Sequence, residues 1–425
     1  MSNQHPAHAE SKGQPGAEAP FACRGCLSTR TSLVLDMGQL PLANAFVRLP
    51  TDTDDQVREQ LTLVFCEACG LVQIREAIDR HKLFSSFLWV IGTSETTKAY
   101  ARSFSERLRE RYKPRADQSP FLVEIASNDG FFLEHYRQVG FDVLGVDPSN
   151  LAAEAAERGL PSIRAFFGRA VAEQIVSTRG RADVIVARNV LGHVSELQDL
   201  VAGMKHLLAP NGRMVLESPY AFMLRDEVQY DTIFHEHLSY LTVHAVDALM
   251  RRYGMKLTEV GYCRMNGGSF VIEVAHEDAD VPANAQSALD FEELIDLHRP
   301  SGWRRFAEAV PAQRAALRTL LTGLEAEGRC VVGYGAAAKA MTMLNYCGIT
   351  PQLLRAMGDA NPRKQGLLCP GVRMPVVSPE ALMALEPDYI LIGAWNFKDE
   401  IIRFFRERLG YQNKFIVPLP MPYVI

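Results

Sequence analysis

The chain has 425 residues, 47% hydrophobic and 22% charged, with a formal net charge of -5. That length exceeds one hydrophobic core, so two or three domains are expected. With 45 Lys and Arg against 50 Asp and Glu and no basic block, no nucleic-acid partner is expected; no apolar run reaches bilayer length, so no membrane partner is expected either.

Residues 1–20 are rich in Gln, His, Pro, Ala, Ser, Gly and Glu and lack the basic start and apolar centre of a signal peptide. They read as a disordered tail of a cytoplasmic protein, where eight cysteines do not build a disulfide framework. Four of those cysteines form two pairs, Cys23-x-x-Cys26 and Cys66-x-x-Cys69. Each pair makes a tight turn that aims two thiolates at one point, and two turns complete a tetrahedral zinc shell. No position is left open, so the zinc is expected to be structural. Residues 21–80 are read as a zinc-binding module, with Leu33–Leu35 and Leu61–Phe65 as short strands carrying the turns. The other reading is four buried free thiols.

Residues 81–115 read as a helical linker. Gly92-Thr93-Ser94 is a helix start, and Tyr100, Phe104, Leu108 and Tyr112 share one face. Phe87 and Trp89 alternate ahead of it, and either line a cleft or enter the core.

Residues 116–276 alternate apolar strands with helical stretches, which implies a parallel sheet with ligands at the strands' carboxyl ends. Strand Phe121–Ile125 runs into Ala126-Ser127-Asn128-Asp129-Gly130, too poor in glycine for a dinucleotide fingerprint. Glu124 and Asn128 suit an ammonium and hydroxyls. Asp147, ending the next strand before Pro148, is placed to take two ribose hydroxyls. S-adenosylmethionine fits that set, with Ala126, Asp129, Gly130, Phe167 and Asn189 as further contacts. Otherwise Asp147 simply caps the following helix, and Phe167 is core. His193 follows the fourth strand and either faces a cleft or caps a helix.

In His235-Glu236-His237 the histidines are two residues apart. Zinc-binding helices space them four apart, so the segment reads as acid–base equipment, with a carboxylate able to hold an imidazole in one tautomer. A solvated polar loop is the alternative.

Residues 277–327 read as a helical connector, with Trp303, Phe306, Val310, Leu317, Leu320, Leu321 and Leu324 at packing spacing. Residues 328–425 read as a second small α/β unit. Gly333-x-Gly335 turns into a helix carrying Lys339, a partial nicotinamide motif that suits a diphosphate equally well. Asp359, Lys364 and Asn396 lie in or beside polar loops that either complete such a site or are plain turns.

The order of these motifs, with Asn266-Gly267-Gly268-Ser269 and Leu344-Asn345-Tyr346-Cys347-Gly348, resembles the zinc-containing S-adenosylmethionine-dependent C-methyltransferases of nucleotide-linked 4-keto-deoxysugars. The resemblance covers roughly residues 21–425. It implies an α/β protein with three parts: a zinc-binding module, a class I methyltransferase Rossmann-like sheet, and a C-terminal Rossmann-like domain that binds the sugar nucleotide. It implies His237 as the base, with Glu236 beside it, and His193 in the active site; for that chemistry His193, Tyr240 and Asn266 are the candidate enolate donors. Phe87, Trp89, Asn266, Gly267, Gly335, Lys339, Asn345, Asp359, Lys364 and Asn396 become candidate substrate contacts. Relatives often carry Tyr where this chain has Phe234, tyrosines where it has Phe87 and Trp89, and His where it has Asn266. A monomer is the default expectation. The two rival functions are a nicotinamide-dependent sugar-nucleotide oxidoreductase or epimerase, and a non-catalytic zinc-bearing sugar-nucleotide binder.

Overall fold

The computed structural model describes residues 21–48, 57–79, 94–112 and 119–425. Phe87 and Trp89 fall outside the described residues. The N-terminal strands are β1 (Thr31–Pro41), β2 (Val47–Arg48), β3 (Arg58–Cys66) and β4 (Val72–Ile74). β1 and β3 pair antiparallel, and β3 pairs with β4, so the predicted strands do carry the two cysteine turns.

The central sheet contains β5 (Phe121–Ile125), β6 (Asp142–Asp147), β7 (Ser162–Arg164), β8 (Ala182–Arg188) and β9 (Leu208–Pro219). After β10 (Ser239–Tyr240) come β11 (Met255–Cys263) and β12 (Ser269–His276). The order is β11-β12-β9-β8-β5-β6-β7. The links from β7 to β9 are parallel, and β12 runs antiparallel to β9. Val184 to Ala187 are fully buried because helices cover both faces. One face packs on the predicted linker helix, observed at Glu95–Arg111, whose Phe104 and Leu108 meet Leu122, Phe132 and Val186. Burying each such side chain contributes about 1.5–3 kcal/mol. Ser94 caps that helix by accepting from Thr97 N at 3.1 Å. The chain winds from β5 to β6 on one side and returns to β8 on the other. The opening therefore lies over the β5 and β8 carboxyl ends.

The 23-residue helix Arg304–Ala326 buries Phe306, Val310, Leu317, Leu321 and Leu324, as their spacing predicts. It leads to β13 (Val331–Tyr334), β14 (Met357–Gly358), β15 (Leu367–Leu368), β16 (Val376–Val377), β17 (Tyr389–Ile392), β18 (Lys414–Val417) and β19 (Tyr423–Val424). Their sheet order is β16-β14-β13-β17-β18-β19, a second Rossmann-like unit, while β15 stands apart and pairs with β2.

The three parts interlock through short strands. β10 leaves the central domain to pair with β4, and β15 of the C-terminal part pairs with β2 of the N-terminal part. No helix among the described residues is long and apolar enough to cross a membrane.

Candidate active site

Cys23, Cys26, Cys66 and Cys69 bring their sulfurs within 4.8 Å of one another. Cys23–Cys69 and Cys26–Cys66 approach to 3.6 and 3.5 Å. Sulfurs about 2.3 Å from one zinc in a tetrahedron stand at such separations, so the four thiolates fit the metal with no open position.

In the turn after β5, Ala126 and Asn128 have φ of 56° and 52°, a left-handed conformation that costs each about 1–3 kcal/mol. Asp147 holds the turn, taking Asn128 N at 2.9 Å on one oxygen and Ser149 N at 2.9 Å on the other. Asp147 thus ties the turn to the start of the next loop, while Asn150, not Asp147, stands at the N-cap of the following helix. Gly130, with φ 75°, is required because a Cβ would meet Leu160. Asp129 accepts from Phe131 N at 3.2 Å, Pro148 and Phe167 are half-buried along the same edge, and Asn189 holds φ 55° at the end of β8. Glu124 Oε2 and Ser127 Oγ are buried without a partner among the described residues. A ligand with a cationic head and hydroxyl groups fits such a turn.

Beneath Glu124 lies a cluster that sequence reasoning missed. The buried Arg188 guanidinium sits 3.2 Å from Glu217, 3.7 Å from Glu124 and 3.2 Å above the Phe132 ring centroid. Tyr100 donates to Glu217 at 2.8 Å. Arg188 lies closer to Glu217, so burial pushes the Glu124 carboxyl up to about 8 despite it.

His237 donates its Nδ1 proton to the Thr232 carbonyl at 2.8 Å, which leaves the lone pair on Nε2. Thr232 therefore sets the tautomer, not Glu236 as the adjacent carboxylate suggested. Tyr240 also donates to the Thr232 carbonyl, at 3.2 Å, so its hydroxyl braces the same point. Burial, then the His193 ring 4.7 Å away, then Lys339, hold His237 well below 6.5, neutral at pH 7. His193 donates Nδ1–H to the Glu236 carbonyl at 2.7 Å. Phe234 tilts against the His237 ring at 3.9 Å, so the absent hydroxyl is replaced by an apolar wall. Glu236 turns to Asn44 at 3.2 Å, and burial pushes its carboxyl up to about 7. His235 points away and meets the Glu59 carbonyl at 3.2 Å.

The C-terminal part reaches this segment through three groups. Trp395 Nε1 donates to Asp231 at 2.6 Å. Lys339 donates to the Asn266 carbonyl at 3.1 Å and lies 5.1 Å from the Trp395 ring centroid. Asn266, at φ 57°, donates to Asn189 at 3.1 Å, which ties the Gly267-Gly268 turn to the end of β8. Gly335, at φ 90°, leaves no room for a Cβ beside Ala394. Asp231 carried no signal in the sequence, whereas Thr232 heads the histidine segment and Trp395 stands with Asn396 in a polar loop.

Other candidates lie apart from this junction. Asn345 caps the loop at Pro370, donating to its carbonyl at 3.0 Å. Lys364 is buried, donates to the Ala336 carbonyl at 2.7 Å and stands 3.6 Å from Asp359. The lysine therefore braces the glycine turn, with the acid beside it. Asn396 is half-buried in the short turn Trp395–Phe397.

Three family models match in series. Residues 23–84 match a zinc binding domain, 97–260 a methyltransferase domain, and 264–420 the C-methyltransferase C-terminal domain. The chain is 34% identical over 410 residues to C-methyltransferase NovU of Streptomyces niveus, covering 95% of this chain and 96% of that one. A ubiquinone biosynthesis O-methyltransferase of Bradyrhizobium sp. (strain ORS 278) is 31% identical over 101 residues, covering 23% of this chain and 39% of that one. Magnesium protoporphyrin IX methyltransferase (ChlM) of Synechocystis PCC 6803, solved with SAH bound, aligns at TM-score 0.33 and 14% identity, covering 44% of this chain and 90% of that one. Full-length likeness, the three matched domains and the four-cysteine cluster agree: the chain belongs to the zinc-binding, S-adenosylmethionine-dependent C-methyltransferases.

Proposed function

We propose that this enzyme deprotonates the carbon next to the ketone of a nucleotide-linked keto-deoxysugar and methylates that carbon. The observation that carries the reading is His237, a neutral imidazole with its Nε2 lone pair available and its tautomer locked by the Thr232 carbonyl. Nε2 takes the proton as the C–H bond breaks, and the electron pair moves onto the ketone oxygen. When bound, S-adenosylmethionine supplies a methyl on a cationic sulfur that leaves as a neutral thioether. The enolate carbon would accept that methyl, the C–S bonding pair staying with sulfur. Glu124, Ala126, Asn128, Asp129, Gly130, Asp147, Pro148, Phe167 and Asn189 are the proposed cofactor contacts.

The open N-terminus of helix Ala338–Cys347, which has no side-chain cap, suits the substrate's diphosphate. Lys339 turns away from solvent towards Asp231, Trp395 and Asn266. That placement suits the developing enolate better than an exposed phosphate. With Tyr240 donating to Thr232, Asn266 to Asn189 and the one N–H of neutral His193 to the Glu236 carbonyl, Lys339 is the enolate donor proposed here. Lys339→Met is expected to lower kcat by about 10²-fold with little change in KM. A raised KM at unchanged kcat would assign Lys339 to the diphosphate instead.

Cofactor affinity has a pH signature. Glu124, pushed up to about 8, is largely protonated at pH 7. A cationic ligand favours its ionised form, so binding releases a proton. Affinity for S-adenosylmethionine is expected to tighten as pH rises from 6 to 8. Calorimetry in buffers of different ionisation enthalpy reads the released proton, and Glu124→Gln removes it.

Incubating the enzyme with a panel of nucleotide-linked keto-deoxysugars and S-adenosylmethionine tests the substrate class. One methyl of mass gained, placed on carbon by NMR, is the expected outcome. A methyl on oxygen or nitrogen would contradict it.

A further inference from the structure

We propose that Arg24, inside the first zinc turn, is a positioning residue for the catalytic segment that carries His237. The side chain is 8% exposed and spreads over the end of β4. Its Nη1 donates to the Ile74 carbonyl at 2.5 Å and Nη2 to the Glu76 carbonyl at 3.2 Å. Its backbone N–H donates to Gln73 Oε1 at 3.0 Å.

β4 is the strand on which the catalytic segment hangs. Ile74 N donates to the carbonyl of Leu238, the residue after His237, at 3.0 Å. Ser239 then pairs with Gln73 and Tyr240 with Val72. A two-residue strand has no independent stability, so its place is set by whatever holds its partner. β3 holds one side of β4, and Arg24 fastens the carbonyls where the strand ends.

The turn is anchored in the methyltransferase domain as well. Gln198 donates to the Arg24 and Gly25 carbonyls at 2.7 and 2.8 Å, and Tyr253 braces Gln198 at 2.9 Å. The chain of contacts thus runs from the central domain through the zinc turn to β4, and back into the base segment. A planar guanidinium spans carbonyls two residues apart, whereas an ammonium is a single point charge.

The test compares full-length, zinc-loaded Arg24→Met and Arg24→Lys with the parent. Zinc content and S-adenosylhomocysteine affinity are expected within twofold of the parent. Hydrogen exchange at the amides of residues 72–74 and 238–240 is expected to quicken at least tenfold in Arg24→Met. Its kcat is expected to fall about tenfold, the acid limb of kcat moving up towards pH 6.5 as His237 becomes better solvated. Arg24→Lys should recover part of each effect. The turnover readings rest on the proposed reaction; the exchange readings do not, so the two can fail separately. Unchanged exchange in both variants with zinc retained would overturn the proposal. So would equal losses of zinc and S-adenosylhomocysteine binding in both, which would make Arg24 a structural part of the knuckle alone.

Discussion

His237→Asn is expected to bind S-adenosylmethionine as the parent does and to lose methyl transfer by about 10²–10⁴-fold, the range of general-base contributions. Asparagine can still donate to the Thr232 carbonyl, so the segment stays in place while the lone pair disappears. Binding is spared because the proposed cofactor contacts lie at the ends of β5, β6 and β8. The parent enzyme carries a second sign of this base. Its imidazole is held well below 6.5 by burial and by His193. The unprotonated base therefore persists as pH falls through 6.5, and the acid limb of kcat lies below that value. The same shift makes the folded state bind fewer protons than the unfolded chain between the two pKa values, so this group's contribution to stability declines as pH drops through that window. An acid limb at or above pH 6.5, or near-parental turnover in His237→Asn, contradicts the assignment.

Removal of zinc is expected to abolish methyl transfer while leaving S-adenosylhomocysteine binding largely intact. Structural zinc sites contribute about 10–16 kcal/mol of binding free energy, comparable to or greater than a whole domain's stability of about 5–15 kcal/mol. The knuckles therefore unfold without it. With them go β4, the Asn44 contact to Glu236 and the Glu59 contact to His235, all of which hold the segment that carries His237. The turn after β5, the proposed cofactor site, is built within the central sheet and does not depend on those contacts. Chelation, or Cys66→Ser, followed by circular dichroism, zinc release and a binding titration checks both halves. Parental turnover by metal-free protein would refute the structural role.

The parts of the site legible in the sequence are the local ones. Paired cysteines with two residues between them dictate a turn, and alternating apolar runs dictate β5, β6 and β8. The unreadable parts join distant residues. Asn44 meets Glu236 across 192 positions, and Trp395 meets Asp231 across 164. Neither pairing leaves a periodic trace. Glu236 stands beside His237 in the chain, yet its carboxylate turns to the N-terminal module and a backbone carbonyl fixes the imidazole. Lys339 reads as a first-turn helical residue suited to a diphosphate, and only the packing of the C-terminal part against the Asn266 turn brings its ammonium to that carbonyl. Arg188 carries no signal in the sequence, because its two acidic partners come from different strands.

The most direct test of the central claim separates proton removal from methyl transfer. The enzyme is saturated with S-adenosylhomocysteine in deuterated water and given a nucleotide-linked 4-keto-deoxysugar that the parent methylates. NMR then follows the hydrogen on the carbon beside the ketone. Exchange at that carbon by the parent, and its loss in His237→Asn, is the predicted result. Equal exchange rates in the two proteins would show that another group removes the proton.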